Sequence, residues 1–193
     1  TYLAHRTEGV IQARAIKGGV AAAIVLSCSF IAAGIWLQWI DGYRITSLVD
    51  TAGLPDILNK SVVREAGAWM ANYGHYPLLW LLPVLGLVGA GGAAILLMMR
   101  RTLSAFVASS LAVIAVISTA GVSMFPFIMP SSTVPAASLT VWDSVSSHLS
   151  LAIMFWATLI FMPLIVIYTS WAYRVMRGKV TVAHIKANEH SAY

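Results

Sequence analysis

The residues with the most chemical potential are Asp143 and His148, five positions apart at the start of the last apolar run, with His75 as a second imidazole before an earlier run. A carboxylate beside an imidazole at a membrane boundary could hold a lipid headgroup or gate a proton. The same residues have a structural use. Asp143 is a candidate N-cap for the helix that follows, accepting orphan N–H groups at its positive end. Ser144, Ser146 and Ser147 could serve equally, and capping is the favoured reading. Haem ligation would need a His, Met, Cys or Tyr inside the bundle. Met98, Met99, Met124, Met154 and Met162 lie in apolar runs with no histidine beside them, which is how packing methionines occur. Cys28 is the single cysteine, so it forms no internal disulfide and packs as a small apolar residue. No metal-ligand cluster, nucleophile triad or phosphate loop is visible. No catalytic, cofactor-binding or metal-ligating residue is therefore assigned.

The elements that position these residues are apolar helices. The chain has 193 residues, 59% apolar and 10% charged, with a mean hydropathy of +0.81. A soluble domain carries about 25% charged residues, so the class is all-α integral membrane. Four runs without a charged residue or histidine, at about 18–40, 77–99, 103–125 and 149–173, predict a four-helix transmembrane bundle. The first would be about 34 Å long as a helix, enough to cross a hydrocarbon core of about 30 Å. Residues 1–17 read as a polar, helical surface segment and 174–193 as a polar tail, frayed or docked on a partner. Thr1–Ala4 looks like the tail of something preceding it. Gly86, Ala90 and Ala94, with Gly89 and Ala93, form a ladder of small residues suited to close helix packing. Ser104, Ser109, Ser110, Ser118 and Thr119 can each bond a carbonyl one turn back. Pro163 should kink the fourth helix.

The formal net charge is +5, but the basic residues flank apolar runs, which reads as orientation rather than nucleic-acid binding. Arg6, Arg14, Lys17, Arg100, Arg101, Arg174, Arg177, Lys179 and Lys186 fall on one side, against Arg44, Lys60 and Arg64 on the other. Both termini are thus expected in the cytoplasm, with loops 41–76 and 126–148 outside. In the first loop, Asn59 as N-cap and Val62, Val63, Ala66, Trp69, Met70 and Tyr73 at three- to four-residue spacing predict an amphipathic helix. It would lie on a membrane, on a partner or on its own bundle. The stretch Thr119–His148 holds three prolines, seven serines, three threonines and one charged residue, Asp143. It reads as a hydroxyl-rich corner that stops the third helix and starts the fourth.

The string GVSMFPFIMPSSTVPAASLTVWDSVSSHLS at 121–150 resembles the C-terminal half of subunit II of bacterial cytochrome bd-type quinol oxidases. TYLAHRTEG at 1–9, WIDGY at 39–43, NKSVVREAGAW at 59–69, YTSWAYRVMRGKVT at 168–181 and HSAY at 190–193 agree. The resemblance covers essentially the whole chain. It implies one half of a pseudosymmetric eight-helix subunit in the bacterial inner membrane. It further implies a haem-free support for subunit I, which holds haem b and haem d and oxidises ubiquinol or menaquinol. The complex reduces dioxygen to water and builds a proton-motive force. The implied partners are subunit I, the N-terminal half of subunit II, small single-span accessory subunits and lipid. A structural quinone in subunit II is also implied, while the proton-path carboxylates belong to the other half. Two other classes fit the residues: a non-redox membrane scaffold or assembly protein, and a half-repeat of a secondary transporter. The transporter would require polar groups at mid-membrane, which the runs lack.

Overall fold

The computed structural model describes residues 1–48 and 60–175. Asn59 and the tail residues Arg177, Lys179 and Lys186 lie outside them. The chain divides into two compact units, one ending at Ser144 and one beginning at Val145.

Helix α1 (Tyr2–Arg6) is followed by α2 (Gly9–Trp36). A short ribbon pairs β1 (Asp41–Ile45) with β2 (Val62–Ala66), antiparallel, with Tyr43 opposite Arg64. A 3₁₀ turn (Ala68–Met70), α3 (Ala71–His75) and a second 3₁₀ turn (Pro77–Trp80) lead into α4 (Leu81–Met98). Helix α5 (Thr102–Met124) follows. A second ribbon pairs β3 (Phe127–Met129) with β4 (Leu139–Thr140). Helix α6 (His148–Val175) forms the second unit and carries Pro163 in its interior. The proline ring removes the hydrogen bond that the Leu159 carbonyl would accept.

Among the described residues, four helical stretches are long and apolar enough to cross a membrane: Gly9–Trp36, Pro77–Met98, Thr102–Met124 and His148–Val175. The chain is an all-α integral membrane protein in class, with two small ribbons. Helix α2 begins well before the charge-free run at 18, because Arg14 and Lys17 can continue a helix beyond the apolar layer.

The loop before Pro77 differs from expectation. Residues 62–66 form a strand, not part of an amphipathic helix. Val62 and Val63 are β-branched and favour extended backbone. Gly67 then sits at φ +74, a conformation that interrupts any helix through it. Its N–H donates to the Ile40 carbonyl at 3.1 Å. Only residues from Ala68 onward turn helically.

Helices α4 and α5 form a tight hairpin. Arg100 N–H donates to Leu97 O and Arg101 N–H to Leu96 O, with Arg100 at φ +57. This pattern closes a helix C-terminus on its own carbonyls. Gly86, Ala90, Ala93 and Ala94 of α4 and Ala105, Ala112 and Ala115 of α5 are buried, and a Cβ on Gly86 would stand 3.2 Å from Val116 Cγ2 of α5. A Cβ on Gly89 would stand 3.0 Å from Ala112 Cβ and 3.1 Å from Ala108 O. Gly86 and Gly89 of the small-residue ladder therefore pack α4 on α5 inside this chain. Dispersion between closely approaching backbones holds such a seam, since lipid chains are as apolar as the side chains themselves. At the hairpin end, Ala4, Leu97 and Ala105 form a buried cluster. Thr1 and His5 side chains meet Ser109 (2.8 Å) and Thr102 (3.1 Å) on α5.

Candidate functional site

The opposite end of the first unit carries the two ribbons, and there the chemistry is polar. Lys60 precedes β2 and Asp143 follows β4. Lys60 Nζ donates to Asp143 Oδ2 at 2.6 Å, with the two side chains only 2% and 4% exposed. The same carboxylate oxygen accepts from the Thr140 hydroxyl (2.6 Å) and the Thr140 N–H (3.0 Å). Burial works to raise the Asp143 pKa. Hydrogen bonds from Lys60 and Thr140 and the ammonium charge outweigh it, and the carboxyl titrates below its ordinary 3.8. The ribbons also meet through Tyr43, whose hydroxyl donates to Ser131 O at 3.0 Å. Its ring lies 5.9 Å from that of Phe127, and Trp69 packs edge-on to Phe127 at 6.4 Å. Arg44 and Glu65, by contrast, form an exposed pair at 3.4 Å.

Helix α3 fastens this end onto α5. Asn72 Nδ2 donates to Val122 O and Phe125 O, both at 2.7 Å, and Tyr73 Oη donates to Thr119 O at 2.8 Å. The last carbonyls of a helix lack intrahelical partners, and Asn72 supplies donors for them. Below lies a cavity of about 620 Å³. Phe30, Ile31, Leu87 and Val116 give it apolar walls; Trp69 and Tyr73 line it on the ribbon side, with Gln38 among its few polar side chains. Such a space suits a lipid-like ligand with one or two polar atoms.

The family model described as cytochrome bd terminal oxidase subunit II matches residues 1–176. The chain belongs to that family. It is 44% identical over its whole length to the cytochrome bd-I ubiquinol oxidase subunit 2 of Escherichia coli K12 and covers 51% of that protein. It is 39% identical to the probable cytochrome oxidase subunit 2 of Haemophilus influenzae Rd, again covering 51%. The chain thus spans about half the length of the curated relatives it matches.

Within this member of the subunit II family, Asp143 is not the cap of the last helix. Helix α6 starts at His148, and Ser147 Oγ accepts the Ser150 N–H at 3.4 Å. Asp143 is committed instead to Lys60 and to its own turn. His148 and His75 are exposed, as are Cys28 and all five in-span methionines. Ser110 and Thr119 bond the carbonyls of Phe106 and Ala115, one turn back. Lys60, Thr140, Asn72, Tyr73 and Trp69 were not singled out as a site by sequence reasoning. The Thr140-x-x-Asp143 spacing was the available signal: a hydroxyl and a carboxylate three apart close a local turn. Nothing in the sequence pairs position 60 with position 143.

Proposed function

We propose that this chain is the C-terminal, haem-free half of a subunit II that supports a haem-bearing subunit I in a quinol:dioxygen oxidoreductase. The observation that carries the reading is the match over residues 1–176, together with 44% identity to a named ubiquinol oxidase subunit of about twice the length. The remaining half would be an N-terminal repeat completing an eight-helix subunit. Small single-span subunits and lipid are further partners. The protein sits in the bacterial inner membrane. The ribbon end faces outward, and both ends of the chain face the cytoplasm, as the nine-to-three division of basic residues favours. In subunit I, haem b and haem d supply electron transfer from ubiquinol or menaquinol to dioxygen, and the reaction builds a proton-motive force.

The cavity between α2, α4 and α5 fits a structural quinone. Its walls would hold an isoprenoid chain, Trp69 and Tyr73 offer aromatic faces, and Gln38 offers an amide for one carbonyl. These residues would bind and exclude water.

Two measurements test the reading. A reduced-minus-oxidised spectrum of the purified membrane complex should show haem in a copurifying chain; a complex without haem sinks the oxidase assignment and leaves a scaffold. Solvent extraction should recover quinone from the parent complex, and Leu87→Trp, which fills the cavity, should lower its yield. An unchanged yield removes the quinone from this cavity.

A further inference from the structure

We infer that the Lys60–Asp143 pair is a clasp that makes the two ribbons open and close as one lid over the apolar cavity. The first ribbon continues through Gly67 into Trp69, Met70 and Tyr73, and these three residues line the cavity. The second ribbon follows directly from α5, whose last turns line it from the other side through Ser123 and Met124. Among the described residues the two ribbons are separate sheets with no strand pairing between them. Side chains join them: the Tyr43 hydroxyl on Ser131 O, the Tyr43–Phe127–Trp69 rings and the buried ion pair.

Of these ties the ion pair costs most to open. Separating a desolvated ammonium from a carboxylate leaves two charges in a poor solvent unless the whole region admits water. One oxygen of Asp143 also accepts both Thr140 donors. Losing Lys60 therefore disturbs the turn that ends β4, and losing Asp143 disturbs the entry to β2. A local pair would protect its own ribbon alone. A clasp transmits damage in one ribbon to the other, and it does so whichever ligand fills the cavity.

Hydrogen–deuterium exchange on the purified membrane complex reads this directly. Lys60→Met should lower protection at least ten-fold in residues 127–142, on the ribbon it does not belong to, and in 62–75. The α4–α5 seam peptides should stay unchanged and so certify the fold. Arg44→Ala breaks the exposed pair within the first ribbon and should leave 127–142 unaffected. If Lys60→Met cannot be purified folded, Asp143→Asn serves in its place. It removes the charge, keeps an acceptor oxygen, and should lower protection in 62–75. Protection in the far ribbon within two-fold of the parent, or an equal loss from Arg44→Ala, would overturn the clasp.

Discussion

The α4–α5 seam and the ribbon end are held together by opposite means. The seam sets Gly86 and Gly89 against Ala108, Ala112, Ala115 and Val116, with no titratable side chain among these contacts. Its strength is the closeness of two backbones, seen where Gly89 leaves room for Ala112 and Ala108 and for nothing more. The ribbon end rests on a buried ion pair, donors on helix-terminal carbonyls and three rings in tilted and edge-on contact. The difference reflects the surroundings. Within lipid there is no water to expel, so shape decides. At the polar boundary a short ribbon leaves many backbone and side-chain groups to satisfy, so matched charges and hydrogen bonds decide.

The largest expected contrast comes from removing one charge. Lys60→Met should cost about 3–5 kcal/mol, because the buried Asp143 carboxylate loses its cation, and Asp143→Leu should also destabilise by taking this carboxylate from Lys60. The double variant should recover most of that loss, as paired apolar replacements of buried ion pairs do. Thermal unfolding in detergent measures all three, and an additive double variant would contradict a direct pair. Next is Gly89→Ala. Its new methyl has to displace Ala112 or the Ala108 carbonyl, at a cost of about 1–3 kcal/mol. Gly91→Ala, where a Cβ meets nothing within 4 Å, should be neutral or stabilising by about 0.5–1 kcal/mol. Equal effects at the two glycines would deny the seam its shape dependence.

Acid should separate the regions further. The folded-state pKa of Asp143 lies below its ordinary 3.8. Its contribution is therefore full above that value and fades as pH falls through the folded pKa. Exchange protection of the ribbons should drop below about pH 3.8, with the seam peptides holding, and Asp143→Asn should flatten this acid limb. A seam that loosens at the same pH would break the comparison. The smallest effect belongs to Arg44→Ala, which should change stability by less than about 1 kcal/mol, as exposed pairs do.

The seam was legible in the sequence and the ribbon end was not, for the same physical reason. Helix packing in lipid depends on residue size at fixed three- and four-residue spacing, and Gly86, Gly89, Ala90 and Ala93 display that directly. Only the partner was left open, and it proved to be α5 of this chain. The apolar runs likewise announce helices through composition alone. Lys60 and Asp143 carry no such local signature. Each looks like an ordinary loop charge until the fold places them together, which is why Asp143 read as a helix cap. The supposed helix at 59–73 had its counter-evidence in view: two adjacent valines, then Gly67. The apolar spacing was shared between a strand and a following turn, and periodicity alone does not show where one gives way to the other.

The 83-residue separation between the clasp partners also sets a clock. The α4–α5 hairpin can pair as soon as it is made, because a three-residue turn joins its halves. Lys60 has to wait for Asp143, and at about 5–20 residues per second of synthesis that interval is on the order of 4–17 s. The newborn chain should therefore pass through a stage with its helical hairpin inserted and its ribbon end still open. Pulse-labelled protease accessibility at residues 60–75 should show that window closing only once residue 143 has left the ribosome.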